Sequence, residues 1–235
     1  ALGGGAFQHV FTIGNLVPSF AVDIDRLAAK IRFVGCMFNS LKFDIKKNEA
    51  VMAALDMIAK EEFLTTIGTP GYSDLDPFAG VNVGVSLNGV ASDDVESANF
   101  EMNNDIERVE TLNKSRFIRR AVAKTFKLTG AYTIEFGDMK QLERYWGAVG
   151  ATGPQLHIID SSMSINIEQD VEITPGIKYG LTFDFPRVKY ATHEAHIAAD
   201  ERVLQNISIL GLADLVTDEV ITATLINGES GYPNP

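Results

Sequence analysis

The chain has 235 residues, of which 46% are hydrophobic and 22% charged, and a formal net charge of −11. That length can bury a sizeable core, often as one all-β domain, and the acidic balance disfavours a chain that grips nucleic acid through clustered Lys and Arg. The single cysteine, Cys36, excludes an intrachain disulfide and reads as a small buried residue of a reducing compartment rather than a reactive thiol.

No charged side chain precedes Asp23. A membrane span needs about 20 predominantly apolar residues, and Gly3-Gly4-Gly5, Gln8-His9, Asn15 and Pro18-Ser19 interrupt this run. A signal peptide would need a basic start, which is absent here. Residues 1–22 therefore read as an uncharged arm that gains order by lying on its own domain or on a neighbouring subunit, without membrane insertion. Val22 to Val34 fits either a short helix or an edge strand.

The stretch Gly35 to Lys60 alternates. Met37, Leu41, Phe43 and Ile45 share one parity, and after the polar turn Lys46-Lys47-Asn48-Glu49 a second run puts Val51, Ala53, Leu55, Met57 and Ala59 on one parity. A period of two over both runs predicts an antiparallel hairpin with one buried face. Residues 61–94 are rich in turn signals, with Val81, Val83, Val85 and Leu87 as one short strand inside them. So long a connection is usually functional.

From Val95 the alternation returns through Ala98, Phe100, Met102 and Ile106. An acidic block containing Glu101, Asp105 and Glu107 precedes a basic one containing Arg116, Arg119 and Arg120. The blocks read as hairpin partners or solvated faces; the sharper reading makes them complementary surfaces between subunits. Strand residues from Thr125 to Phe136 lead to a helix over 138–149, with Asp138 as cap, Gln141 closing a capping box and Gly150 as stop. Met139, Leu142, Tyr145, Trp146 and Val149 line its apolar side, with Trp146 as core anchor.

Ser162 to Ile173 is the cleanest strand pattern. Met163, Ile165, Ile167, Val171 and Ile173 point one way, Gln169 being the exception, and Glu168, Asp170 and Glu172 point the other. Ile177 to Phe185 alternates, Pro186 interrupts, and Val188 and Tyr190 continue. A polar loop over Ala191–Arg202 and strands over Leu204–Ala213 and Val220–Ile226 complete the chain.

Candidate chemistry is sparse. His193-Glu194-Ala195-His196 lacks the four-residue His spacing of a zincin helix, and His157 and Asp160 straddle an expected strand and fall on its opposite faces. No Gly-x-Ser-x-Gly elbow or phosphate loop is present. The sequence thus offers no catalytic, cofactor-binding or metal-binding residue and no cofactor.

Two regions carry a family resemblance. The run G-C-x-F-N-S-L-x-F-x-I-x-x-N-E-x-V-x-A-x-L-x-x-I-A-K, Gly35 to Lys60, resembles the early hairpin of siphophage major tail tube proteins. The order F-x-F-P-x-V-x-Y (183–190), Q-x-I-x-I-L-G-L-A-D (205–214) and I-T-A-T-L-I-N (221–227) resembles their close. The resemblance implies a virion protein, made in the host cytoplasm, that forms hexameric rings stacked into a hollow tail tube, binding itself and other tail proteins at the tube ends. Double-stranded DNA would pass without adhering. In that setting Glu168, Asp170 and Glu172 become a candidate acidic lumen face, and Glu101, Asp105, Glu107, Arg116, Arg119 and Arg120 candidate contacts between subunits. A secretion tube of related architecture and a non-assembling β-sandwich binding module are the alternatives. The expected architecture is mainly β, an antiparallel sandwich or partly rolled barrel with one flanking helix. It divides into an arm (1–22), one domain (23–227, with the insert 61–94) and a tail (228–235).

Overall fold

A computed structural model describes residues 2–14, 16–66, 68, 74–112, 117–196 and 202–231. The uncharged arm lies on its own domain: β1 (Phe7–Thr12) pairs antiparallel with the chain's last strand, Phe7 opposite Asn227 and Thr12 opposite Thr222. The segment left open between helix and strand begins as β2 (Phe20–Asp25) and turns back into β3 (Lys30–Lys46). Asp25 sets the turn by accepting from the Leu27 N–H at 2.9 Å, a local bond that competes with helix formation.

β3 and β4 (Met52–Ile58) form the expected hairpin, with Asn48 at φ 65° in its turn. Its single face, however, is broken. Phe38 pairs with Met57 but Ser40 with Asp56, so Asn39 is an extra residue on β3, and a bulge reverses the parity of what precedes it. Phe38 joins the face of Leu41 and Phe43, whereas Met37 turns to the other side with Ile58. Asn39 holds the bulge with its own side chain, accepting from the Ile106 N–H at 2.9 Å and donating to Asp56 at 2.7 Å. Only the turn end of the hairpin reaches the core, through Phe43, Ile45 and Val51; Leu55 remains 45% exposed.

The stretch 61–94 is less loop-like than expected. β5 (Glu61–Leu64) pairs with the start of β3. Val81 belongs to a 3-10 turn, and the strand begins after it as β6 (Val83–Leu87). Asn88 and Gly89, at φ 55° and 75°, fold β7 (Val90–Ser92) back onto β6, as two left-handed residues in a tight hairpin do. Val85 and Leu87 are buried, so this part belongs to the chain's own sheet. Thr69-Pro70-Gly71 lies outside the described residues.

β8 (Val95–Asn103) buries Ala98 and Phe100. A short hairpin, β9 (Glu107–Val109) with β10 (Arg120–Val122), follows, then β11 (Lys127–Glu135). The helix is shorter than 138–149: α1 spans Lys140–Trp146. Asp138 accepts from the Lys140 N–H at 3.0 Å, but Gln141 closes no capping box. Its Oε1 instead accepts from the Tyr190 hydroxyl at 2.6 Å and the Tyr132 hydroxyl at 3.3 Å. Gly147, not Gly150, ends the helix, in left-handed backbone at φ 107°; a side chain there would strike the His157 carbonyl. Tyr145 is the helix residue packed on the core, while Trp146 is half-buried and Met139 and Val149 are exposed. Trp146 is therefore not the expected anchor.

β12 (Ser161–Thr174) buries Met163, Ile165, Ile167 and also Gln169. Beyond Glu168 its register with β13 (Ile177–His196) shifts, and Val171, expected inside, is 45% exposed. β13 runs through Pro186. Its pairing with β15 (Thr222–Asn227) ends at Asp184 and its pairing with β14 (Leu204–Gly211) starts at Val188, so the missing proline N–H falls where the strand changes partners. Ala191 to His196, expected as loop, continues the strand against β14.

The main sheet runs β2-β3-β8-β11-β14-β13-β12-β6-β7, with β1 and β15 branching from β13 and β4 and β5 from β3. Four strand steps separate β3 from β13, about 19 Å in a flat sheet, yet the rings of Phe43 and Phe183 lie 4.8 Å apart. The sheet must therefore curl over on itself. Phe100 stacks on Phe43 at 5.1 Å and meets Phe183 and Phe185 edge to face at 4.8 and 5.1 Å. Around these rings Ile165, Ile167 and Ile207 complete an apolar interior. The result is the expected mainly antiparallel β-sandwich, rolled but not closed, with one flanking helix.

Candidate functional site

Two of the groups that sequence reasoning tested for chemistry, His193 and Asp160, have structural partners. His193 shares a 2.8 Å bond with Gln205 Oε1 and stacks on Tyr145 at 5.8 Å. His157 and Asp160 lie in the loop after α1, not in a strand. Burial alone would raise the Asp160 carboxyl, but Arg187 at 2.9 Å and Lys189 at 3.5 Å outweigh it and hold it below the usual range. Burial pushes the Cys36 thiol up, which keeps it protonated and inert. Among the described residues no cluster of His, Cys, Asp and Glu is placed to hold a metal, and no helix is long and apolar enough to cross a membrane.

The acidic and basic blocks meet largely within the chain. Glu107 pairs with Lys124 at 2.9 Å and Asp105 with Lys127 at 3.3 Å. Glu101 stands beside Lys42 in register on the outer face of β8. Arg119 and Arg120, in or next to the β9–β10 hairpin, form no ion pair among the described residues; Arg116 lies outside them.

The acidic strand has a wider setting. Because Ile165 and Ile167 turn inward, Ser164, Asn166 and Glu168 turn outward, as period two requires. Across β13 these face Asp184, Thr182 and Gly180, and beyond them Thr222, Thr224 and Ile226 of β15. The next rows are Thr12, Val10 and Gln8 of β1, while β6 supplies Ser86 and Gly84 on the other side. One continuous outer face is thus built from five strands with mainly short polar side chains. Thr182 donates to Asn166 at 2.8 Å, and Asn166 to Glu168 at 3.2 Å. Glu168 and Glu172 border one shallow groove with Lys178, and Asp170, past the register shift, contacts Lys178 at 3.8 Å and Asn82 at 3.4 Å. Sequence reading named Glu168, Asp170 and Glu172; the strand pairing sets Asp184 and the threonines on the face of Glu168. Their signal, alternate polar residues in β13 and β15, gains meaning only once the strands are paired.

The described residues form a rolled, open-edged β-sandwich with a broad polar face. The chain belongs to the phage tail tube protein family, whose model matches residues 3–186. The match covers the β3–β4 hairpin, α1 and β12, and ends where β13 changes partners. No curated protein matches the chain. Family membership makes it a structural protein of the virion tail, produced in the host cytoplasm, which assembles with itself and with other tail proteins.

Proposed function

We propose that copies of this chain close into hexameric rings, that the rings stack into a hollow tube, and that the β6-β12-β13-β15-β1 face lines the channel through which the genome leaves. The observation that carries this reading is the chemistry of that face. It bears Glu168, Glu172 and Asp184, with Lys178 as the cation in register with Glu172. Duplex DNA carries about one charge per 1.7 Å, so a basic wall would hold it. An acidic wall repels it, and over a Debye length of ~8 Å salt screens that only in part. Short Ser, Thr and Asn side chains add no aromatic platform on which bases could stack. The sheet's open edges suit assembly, since an unpaired strand is a hazard unless another chain covers it.

The test is the triple variant Glu168→Lys, Asp170→Lys, Glu172→Lys. Tubes should form nearly as before, while DNA ejection slows or emptied tubes retain DNA. Normal assembly with normal ejection would remove these residues from the channel. Loss of assembly would place them at a contact between subunits.

A further inference from the structure

We propose that Asn227, at the end of β15, is a site of spontaneous covalent modification. Its side-chain amide closes onto the backbone nitrogen of Gly228, loses ammonia and becomes aspartate or isoaspartate. The chain holds two Asn-Gly pairs, Asn88-Gly89 and Asn227-Gly228. Glycine has no Cβ to crowd its own nitrogen, so both pairs have the right chemistry. The fold sets them apart.

Asn88 is held away from the reaction. Its Oδ1 accepts from the Ser162 N–H at 3.1 Å, and its N–H donates to the Ser162 carbonyl at 2.8 Å. The side chain is thus tied across to β12 rather than along its own chain. Asn88 and Gly89 also stand at φ 55° and 75° in the β6–β7 turn. That turn depends on two left-handed residues, and closing a ring at Asn88 would have to reset them.

Asn227 is arranged the other way. Its Oδ1 accepts from the Glu229 N–H at 3.1 Å, so the carboxamide is folded forward over the Gly228 peptide that attacks it. The same N–H stabilises the charge that Oδ1 gains as the carbonyl carbon becomes tetrahedral. Pairing of β15 with β1 ends at Asn227, opposite Phe7, and pairing with β13 ends at Ile226, opposite Gly180. Gly228 lies past both ladders and is exposed.

The Gly228 nitrogen bonds to Asn227 Cγ and the Cγ–Nδ2 bond breaks. The proton of the Gly228 N–H leaves with the amide nitrogen as ammonia. Water then opens the cyclic imide at either carbonyl. One opening leaves a carboxylate on the ordinary backbone, and the other routes the main chain through the side chain, one carbon longer. Either product adds a negative charge where β15 and β1 of the polar face end. His9 of β1 bonds the Glu229 carbonyl there at 2.9 Å, a contact that the longer backbone displaces. The site depends on this chain's own fold and not on the ring reading above.

The test ages the intact, folded protein in mildly alkaline buffer and follows both sites by peptide mass spectrometry, beside a sample unfolded in guanidinium chloride. We expect Asn227 to convert faster than Asn88 by about tenfold or more in the folded protein, and the two rates to converge in the unfolded one. In Gly228→Ala the added carbon meets Tyr179 Oη at 3.6 Å and Ile173 Cγ2 at 3.9 Å, ordinary contacts that leave the fold intact. That variant should convert more slowly at Asn227 and unchanged at Asn88. Folded protein in which Asn227 remains an amide, or in which Asn88 converts as fast, overturns the inference. So does a Gly228→Ala variant that converts at the wild-type rate, or an unfolded chain that keeps the same ratio between the sites.

Discussion

Tyr132, Tyr190 and Gln141 form a polar contact inside the fold. The two hydroxyls lie 2.8 Å apart and both reach Gln141 Oε1. Burial comes first in pushing the Tyr132 phenol well above its ordinary value, so it remains a donor. Replacing Gln141 with Leu leaves a buried phenol without an acceptor and should cost about 1–3 kcal/mol, read as a lower urea midpoint; an unchanged midpoint would show that water replaces the amide. Carboxylates set the pH response. Backbone N–H bonds from Thr217 and Val216 lower Asp214, the Arg32 bond lowers Asp23, and Arg187 with Lys189 lowers Asp160 against its burial. A depressed folded pKa contributes stability that is present above the unfolded value, about 3.9 for Asp, and is lost as pH falls through the folded one. The melting temperature should therefore change little from pH 7 to about 5 through these groups and fall below about 4. Asp160→Asn should lessen that fall, and an unaltered acid limb would contradict the assignment.

At the scale of elements, partner changes explain what was legible. Met163, Ile165 and Ile167 show themselves in sequence because one strand with one buried face has a strict period of two. Nothing in the letters Phe38-Asn39-Ser40 announces a bulge, since Asn39 is set there by Ile106 and Asp56, far along the chain. Pro186 reads as a break because a proline usually costs a ladder bond; it is harmless only at the handover from β15 to β14. Gln141 looks like a cap until the strands bring two tyrosines beside it. The three acidic residues of β12 could be found by alternation, but the face to which they belong depends on pairings across five strands. Asn39→Ala should leave the Ile106 N–H unpaired and lower stability by about 1–3 kcal/mol. Hydrogen exchange should rise at Ile106 and along β4; exchange unchanged at both would mean that the bulge does not depend on the side chain.

For the whole molecule, the curled sheet separates two tasks. Its interior holds Phe43, Phe100, Phe183 and Phe185, each such burial being worth roughly 1.5–3 kcal/mol, so the subunit has its own core before assembly. Its outside carries the polar five-strand face. A net charge of −11 makes copies of the chain repel one another at long range. Cryo-electron microscopy of the purified, polymerised protein tests this account most directly. It predicts stacked rings around an open channel, with Glu168, Glu172 and Asp184 of every copy facing the lumen. A filament without a channel, or a tube with those residues on its outer wall, would contradict it.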